Sequence, residues 1–123
     1  MSGDKYLLDT NIILYILSGN ETIARHLNQK ILYASVISEI ELLGYKSLSL
    51  KQEKSIKDFL SNFRIISIDE AIKNESIALR KKYSLKLPDC IVAATAITLN
   101  LTLITADKQL CQVNNLMLEL YEP

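Results

Sequence analysis

Apolar residues in this sequence come in short bursts separated by stretches of helical rhythm, and that alternation leaves few folds open. The bursts are Tyr6–Leu8, Leu32–Val36, Ile65–Ile68, Leu101–Ile104 and Leu116–Leu120. Each is too short to hold a helix and is rich in Leu, Ile or Val, which suits strands covered on both faces. Between them, Ile56, Phe59, Leu60 and Phe63 recur at the i, i+3, i+4, i+7 spacing of one buried helical face, with Lys51, Lys54 and Lys57 opposite. Ala71, Ile72, Ala78 and Leu79 repeat the rhythm across Asp69–Lys82, and Ile91–Leu99 is apolar nearly all round, as a central helix must be. Strands alternating with helices predict an α/β fold in which a parallel sheet carries helices on both faces. A chain of 123 residues has room for one core, so residues 1–123 read as a single domain. With three glycines and two prolines, long flexible linkers are not expected.

Composition narrows the function classes. Apolar residues make up 49% of the chain, enough to fold without a partner. Lys plus Arg and Asp plus Glu both number 14, so the excess basic charge of a general nucleic-acid coat protein is missing. Any nucleic-acid role must therefore reside in a local site. Cys90 and Cys111 are isolated, with neither a disulfide framework nor a zinc spacing, which points to a reducing cytoplasm. The opening Met1–Lys5 runs straight into Tyr6 without the character of a signal peptide. The uncharged stretch Cys90–Ala106 approaches the length of a short membrane span but holds four threonines and Asn100. It reads as a buried helix followed by a buried strand, with no membrane association.

The usual catalytic apparatus is thin. The one histidine, His26, stands in the polar stretch Asn20–Lys30 without a partner at metal-binding spacing, and reads as a surface residue. There is no Gly-rich phosphate loop and no G-x-S-x-G elbow. Lys46, Lys51, Lys54 and Lys57 form a basic stripe that reads first as a solvated helix face and second as a contact for RNA phosphates.

Acids are placed more tellingly. Asp9 ends the first burst and Asp107 follows the fourth; ligands of an open parallel sheet bind beyond the carboxyl ends of its strands. Asp89 opens the apolar helix, and Glu41 lies early in the helix after the second burst. Each has an ordinary structural explanation. Ser38 and Glu41 fit a capping box. Asp89 beside Pro88 suits a helix first turn. Asp9 and Asp107 could cap the segments that follow them. Asp69, in Ile68-Asp69-Glu70, also follows a strand and precedes a helix, so spacing alone leaves five acids to choose from. Ionised carboxylates gathered at close range repel one another and raise each other's pKa, and a divalent cation relieves this. Mg²⁺ and Mn²⁺ favour oxygen ligands and keep positions open for water and phosphate, so such chemistry needs neither histidine nor cysteine.

At these residues the sequence resembles the PIN-domain family, and within it the VapC-type toxins of toxin–antitoxin pairs. Leu7-Leu8-Asp9-Thr10-Asn11 is similar to the family's opening motif, and Ser35-Val36-Ile37-Ser38-Glu39-Ile40-Glu41-Leu42 to its second, with Glu41 rather than Glu39 as the functional acid. Pro88-Asp89-Cys90-Ile91-Val92-Ala93-Ala94-Thr95-Ala96 resembles the third, and Leu103-Ile104-Thr105-Ala106-Asp107 the closing motif. Ala106 and Leu110 depart from the family's usual residues, and neither removes an acid.

The resemblance implies a five-stranded parallel sheet of order 3-2-1-4-5. It implies an endoribonuclease using one or two Mg²⁺ or Mn²⁺ ions held by Asp9, Glu41, Asp89 and Asp107, with Asn11 and Thr105 in support. It also implies homodimerisation and a cognate antitoxin that blocks the acidic pocket, and it leaves Asp69 as a helix cap. Two other readings stand beside it. One is a catalytically silent PIN-like module that binds RNA or protein. The other is a receiver-type signalling domain using Asp9, a phosphoacceptor Asp69 and Lys108.

Overall fold

The hydrophobic bursts become the strands of one sheet in the computed structural model, which describes residues 4–122; the opening stretch read for a signal peptide lies in part, at Met1–Gly3, outside the described residues. The strands are β1 (Lys5–Leu8), β2 (Ile31–Ser35), β3 (Arg64–Ile66), β4 (Thr102–Thr105) and β5 (Leu118–Leu120). All neighbours pair in parallel, in the order β3-β2-β1-β4-β5. The helices are α1 (Thr10–Leu17), α2 (Glu21–His26), α3 (Val36–Leu43), α4 (Leu50–Leu60), α5 (Glu70–Lys82) and α6 (Leu87–Leu99), with a 3-10 turn over Lys108–Gln112.

Strand order decides where the helices go. The chain moves outward from β1 to β3, then jumps back beside β1 to form β4. Right-handed crossovers in opposite directions put their helices on opposite faces. Tyr6, Leu8, Ala34 and Ile104 accordingly pack in one cluster with Ile12 and Ile13 of α1, Ile23 of α2 and Ile56 of α4. Leu7, Tyr33 and Leu103 pack on the other side with Ile72 and Leu79 of α5 and Val92, Ala93 and Ala96 of α6. Neighbouring strand residues thus serve opposite cores, which is why the bursts are apolar without alternation. The stretch Cys90–Ala106 is the expected buried helix and strand. Asn100, in the left-handed region at φ 59°, stops α6 and turns the chain directly into β4. No helix of the described residues is long and apolar enough to cross a membrane.

Three details differ from the sequence reading. Val36 is the first residue of α3 rather than the last of β2, because the Ser35 side chain caps the helix by accepting from Ile37 N. The polar stretch after Gly19 contains α2, capped by Asn20 and anchored by the single buried residue Ile23. The receiver-type reading falls, because the doubly wound sheet of that class has the order 2-1-3-4-5, whereas β1 here separates β2 from β4.

Candidate active site

The sheet's winding reverses between β1 and β4, and such a switch point opens a crevice at the carboxyl ends of its strands. Asp9 and Thr105 stand at that crevice. The ladder pairs Leu8 with Ile104 and runs one bond further, Asp9 N donating to Ile104 O at 3.0 Å. The fully buried Thr105 hydroxyl then donates to Asp9 Oδ2 at 2.7 Å and accepts from Asp107 N at 3.1 Å. One threonine hydroxyl, used in both directions, ties the first acid to the loop bearing the last.

A second relay leaves Asp9 on its other side. Asp9 caps α1, its Oδ1 accepting from Thr10 N at 2.9 Å. The Thr10 hydroxyl donates to Glu41 Oε1 at 2.8 Å and shares a further 2.8 Å hydrogen bond with the buried Ser38 hydroxyl on α3. Glu41 is exposed, yet this bond draws its carboxylate toward the Asp9 end of the sheet. Asp89 sits in the first turn of α6 beside Pro88, and that helix has no side-chain cap.

Electrostatics joins Asp89 to the rest. Its carboxyl is pushed up to about 6 by burial first, then by the charges of Asp9 and Asp107, with Lys86 opposing and Glu41 adding to the rise. Asp9 is also raised; burial leads, the hydrogen bonds from Thr105 and Thr10 pull the other way, and Asp107 and Glu41 add repulsion. Asp9 and Asp89 thus both lie in the field of Asp107 and Glu41.

Ordinary explanations account for part of this. Asp9 caps α1, and Asp107 caps the 3-10 turn by accepting from Gln109 N at 2.9 Å. The Ser38–Glu41 capping box does not form, since α3 begins at Val36 and Ser38 lies buried against Thr10. Asp69 caps α5, accepting from Ile72 N at 2.9 Å, and is absent from the charges that raise Asp9 and Asp89. Asn11 is exposed and makes no hydrogen bond to the acids among the described residues. His26 bonds to Glu119 Oε2 at 3.0 Å on the edge strand β5 rather than to any of the four. Sequence reasoning took Ser38 for a helix cap and Thr10 only as part of the opening motif, and did not read their part in holding Glu41. The i, i+3 spacing of Ser38 and Glu41 held the signal, because it places both on one face of α3.

Among the described residues, no three His, Cys, Asp or Glu side chains converge to metal-holding distance. The donor set nonetheless fits a hard divalent cation: it is all oxygen, it is partly buried, and Asp89 is raised to about 6 by burial and then by acidic neighbours whose charge a cation would offset.

Comparison with known proteins follows the same outline. Residues 6–116 match the family model described as "PIN domain". No curated protein matches. Among solved structures, a toxin–antitoxin complex from Klebsiella pneumoniae is similar at 36% identity and TM-score 0.78, over 90% of this chain and 94% of that one. VapBC2 from Rickettsia felis, bound to a DNA fragment from its promoter, is similar at 28% identity and TM-score 0.79, over 96% and 99%. FitAcB from Neisseria gonorrhoeae is similar at 26% identity and TM-score 0.77, over 92% and 95%.

Proposed function

This chain belongs to the PIN domain family, in its VapC type, and from that premise we propose that it is a metal-dependent endoribonuclease, the toxin of a toxin–antitoxin pair. The observation that carries the reading is the field at Asp89. Burial first, and then the charges of Asp9, Asp107 and Glu41 against the partial opposition of Lys86, raise this carboxyl to about 6, which supports an acidic hollow at a functional cleft.

Asp9, Glu41, Asp89 and Asp107 are the residues that would hold one or two Mg²⁺ or Mn²⁺ ions. Such a cation, when bound, lowers the pKa of a coordinated water and offsets charge on a phosphodiester. The chain's own part is orientation. Thr105 fixes Asp9 from one side and Thr10 fixes Glu41 from the other, so the carboxylates meet a ligand without searching rotamers. Asn11, exposed at the start of α1, is assigned a supporting contact on the solvent side of the acids.

RNA is the proposed substrate, and an antitoxin that covers the acidic hollow the proposed regulator, in keeping with the toxin–antitoxin complexes among the similar structures. A homodimer is proposed through the face of α5 and the start of α6, where Ile68, Ile77 and Leu87 lie exposed. Two free cysteines, one of them exposed, suit the reducing cytoplasm as its compartment.

Incubation with RNA in Mn²⁺ or Mg²⁺ tests the reading. Cleavage that stops with a chelator and is lost in Asp9→Asn supports it. Retention of the wild-type rate by Asp9→Asn contradicts it, and an inert wild-type protein that still binds RNA favours the catalytically silent module.

A further inference from the structure

Beside the acids, a cleft of about 610 Å³ opens between α1, α3 and α4. Thr10 and Glu41 are among its lining residues, so it is continuous with the relay that positions the second acid. Its lining is largely apolar, with the buried Leu42 and Ile56 and the exposed Leu14 among the residues. The same lining includes an aromatic ring and a cation. Tyr45 is 66% exposed and stacks on no other ring among the described residues. The turn that presents it needs Gly44, where an added Cβ would meet Ile40 O at 2.6 Å. Lys51 also lines the cleft; its helix neighbours Lys54 and Lys57 are paired with Asp58 and Glu53, while Lys51 forms no ion pair among the described residues.

We propose that this cleft receives an unpaired nucleobase of the RNA, adjoining the phosphodiester that lies at the acids, with Tyr45 as its stacking platform and Lys51 on the neighbouring phosphate. The assignment rests on the ribonuclease reading and adds a base-binding subsite to it. Three features argue for a base. An apolar lining with an exposed aromatic ring is how proteins hold single-stranded bases. A hollow of four acids repels RNA, so an unpaired cation at its flank supplies the attraction that the zero net charge does not. The lining shared with Glu41 also means that an occupant reaching the acids through a phosphate brings its own base to this cleft.

The test uses a short unstructured RNA oligonucleotide carrying 4-thiouridine. Irradiated with the intact Asp9→Asn protein, it should crosslink to Tyr45, Lys51 or their neighbours within 44–56, read by mass spectrometry. In cleavage assays Tyr45→Ala should raise KM about tenfold, the size expected for losing one base stack, with kcat changed far less, and Tyr45→Phe should restore it. Lys51→Ala should weaken RNA binding and flatten its salt dependence. Crosslinks confined to other segments, with unchanged KM in Tyr45→Ala, would overturn the subsite while leaving the nuclease intact. Unchanged RNA kinetics with lost binding of a protein partner would overturn it in favour of a protein groove. If the wild type fails to cut RNA, the nuclease reading fails, and the crosslink position alone still decides the subsite.

Discussion

Asp9 does two jobs with one carboxylate, capping α1 through Oδ1 and accepting from Thr105 through Oδ2. Capping and catalysis were competing explanations in the sequence; the cap bond is present at this residue, and under the proposed function the same carboxylate also serves the site. Thr105 is as tightly committed, so Thr105→Val, which keeps shape and removes both bonds, is expected to lower cleavage about 10- to 100-fold in a single-turnover assay, as loss of a ligand's orienting partner does. Asp89 gives the pH dependence. Its folded pKa of about 6 lies above the ordinary 3.8, so its stabilising contribution is complete below about 3.8 and is lost as pH rises through about 6. In chelator at pH 8, Asp89→Asn should therefore be more stable than the wild type by about 1 kcal/mol after allowance for solvent screening, and the gain should vanish at pH 4. Thermal melts at the two pH values check this; a variant that is no more stable at pH 8 contradicts the assigned strain.

At the scale of elements, α5 was legible from the recurrence of Ala71, Ile72, Ala78 and Leu79, and α6 from the nearly all-round apolar stretch Ile91–Leu99. The strands were legible as apolar bursts, but their ends were not. Ser35 decides at the level of one cap bond that Val36 turns into helix, and no periodicity encodes that. Helix α2 escaped because six residues with one buried side chain, Ile23, make no pattern. Leu7 illustrates how much the bursts carry: it is fully buried on the α5–α6 side of β1. Leu7→Ala should cost about 2–5 kcal/mol in a denaturant titration. Asp69 separates structural from chemical acids. Asp69→Ala, which removes the α5 cap, should cost about 1 kcal/mol of stability and leave RNA cleavage unchanged; a lost cleavage rate with the fold intact would return Asp69 to the active set.

For the whole molecule, what the sequence could not encode locally was the order of the strands. Nothing in the bursts says that β4 lies beside β1, and that one adjacency brings Asp107 to Asp9 across nearly a hundred residues. The family resemblance supplied it. Periodicity alone left five acids, and the field around Asp89 favours four of them. The same scale holds the oligomer. Ile77→Glu on the exposed α5 face should convert a dimer to a monomer in sedimentation velocity without unfolding the chain, and an unchanged mass would locate the interface elsewhere. The most direct trial of the account is calorimetric titration of the purified protein with Mn²⁺ at pH 7.5. The wild type should bind, with Asp9→Asn and Asp89→Asn each losing at least about tenfold in affinity; equal binding by both variants, or none by the wild type, would contradict the claim that these carboxylates form one cation-holding hollow.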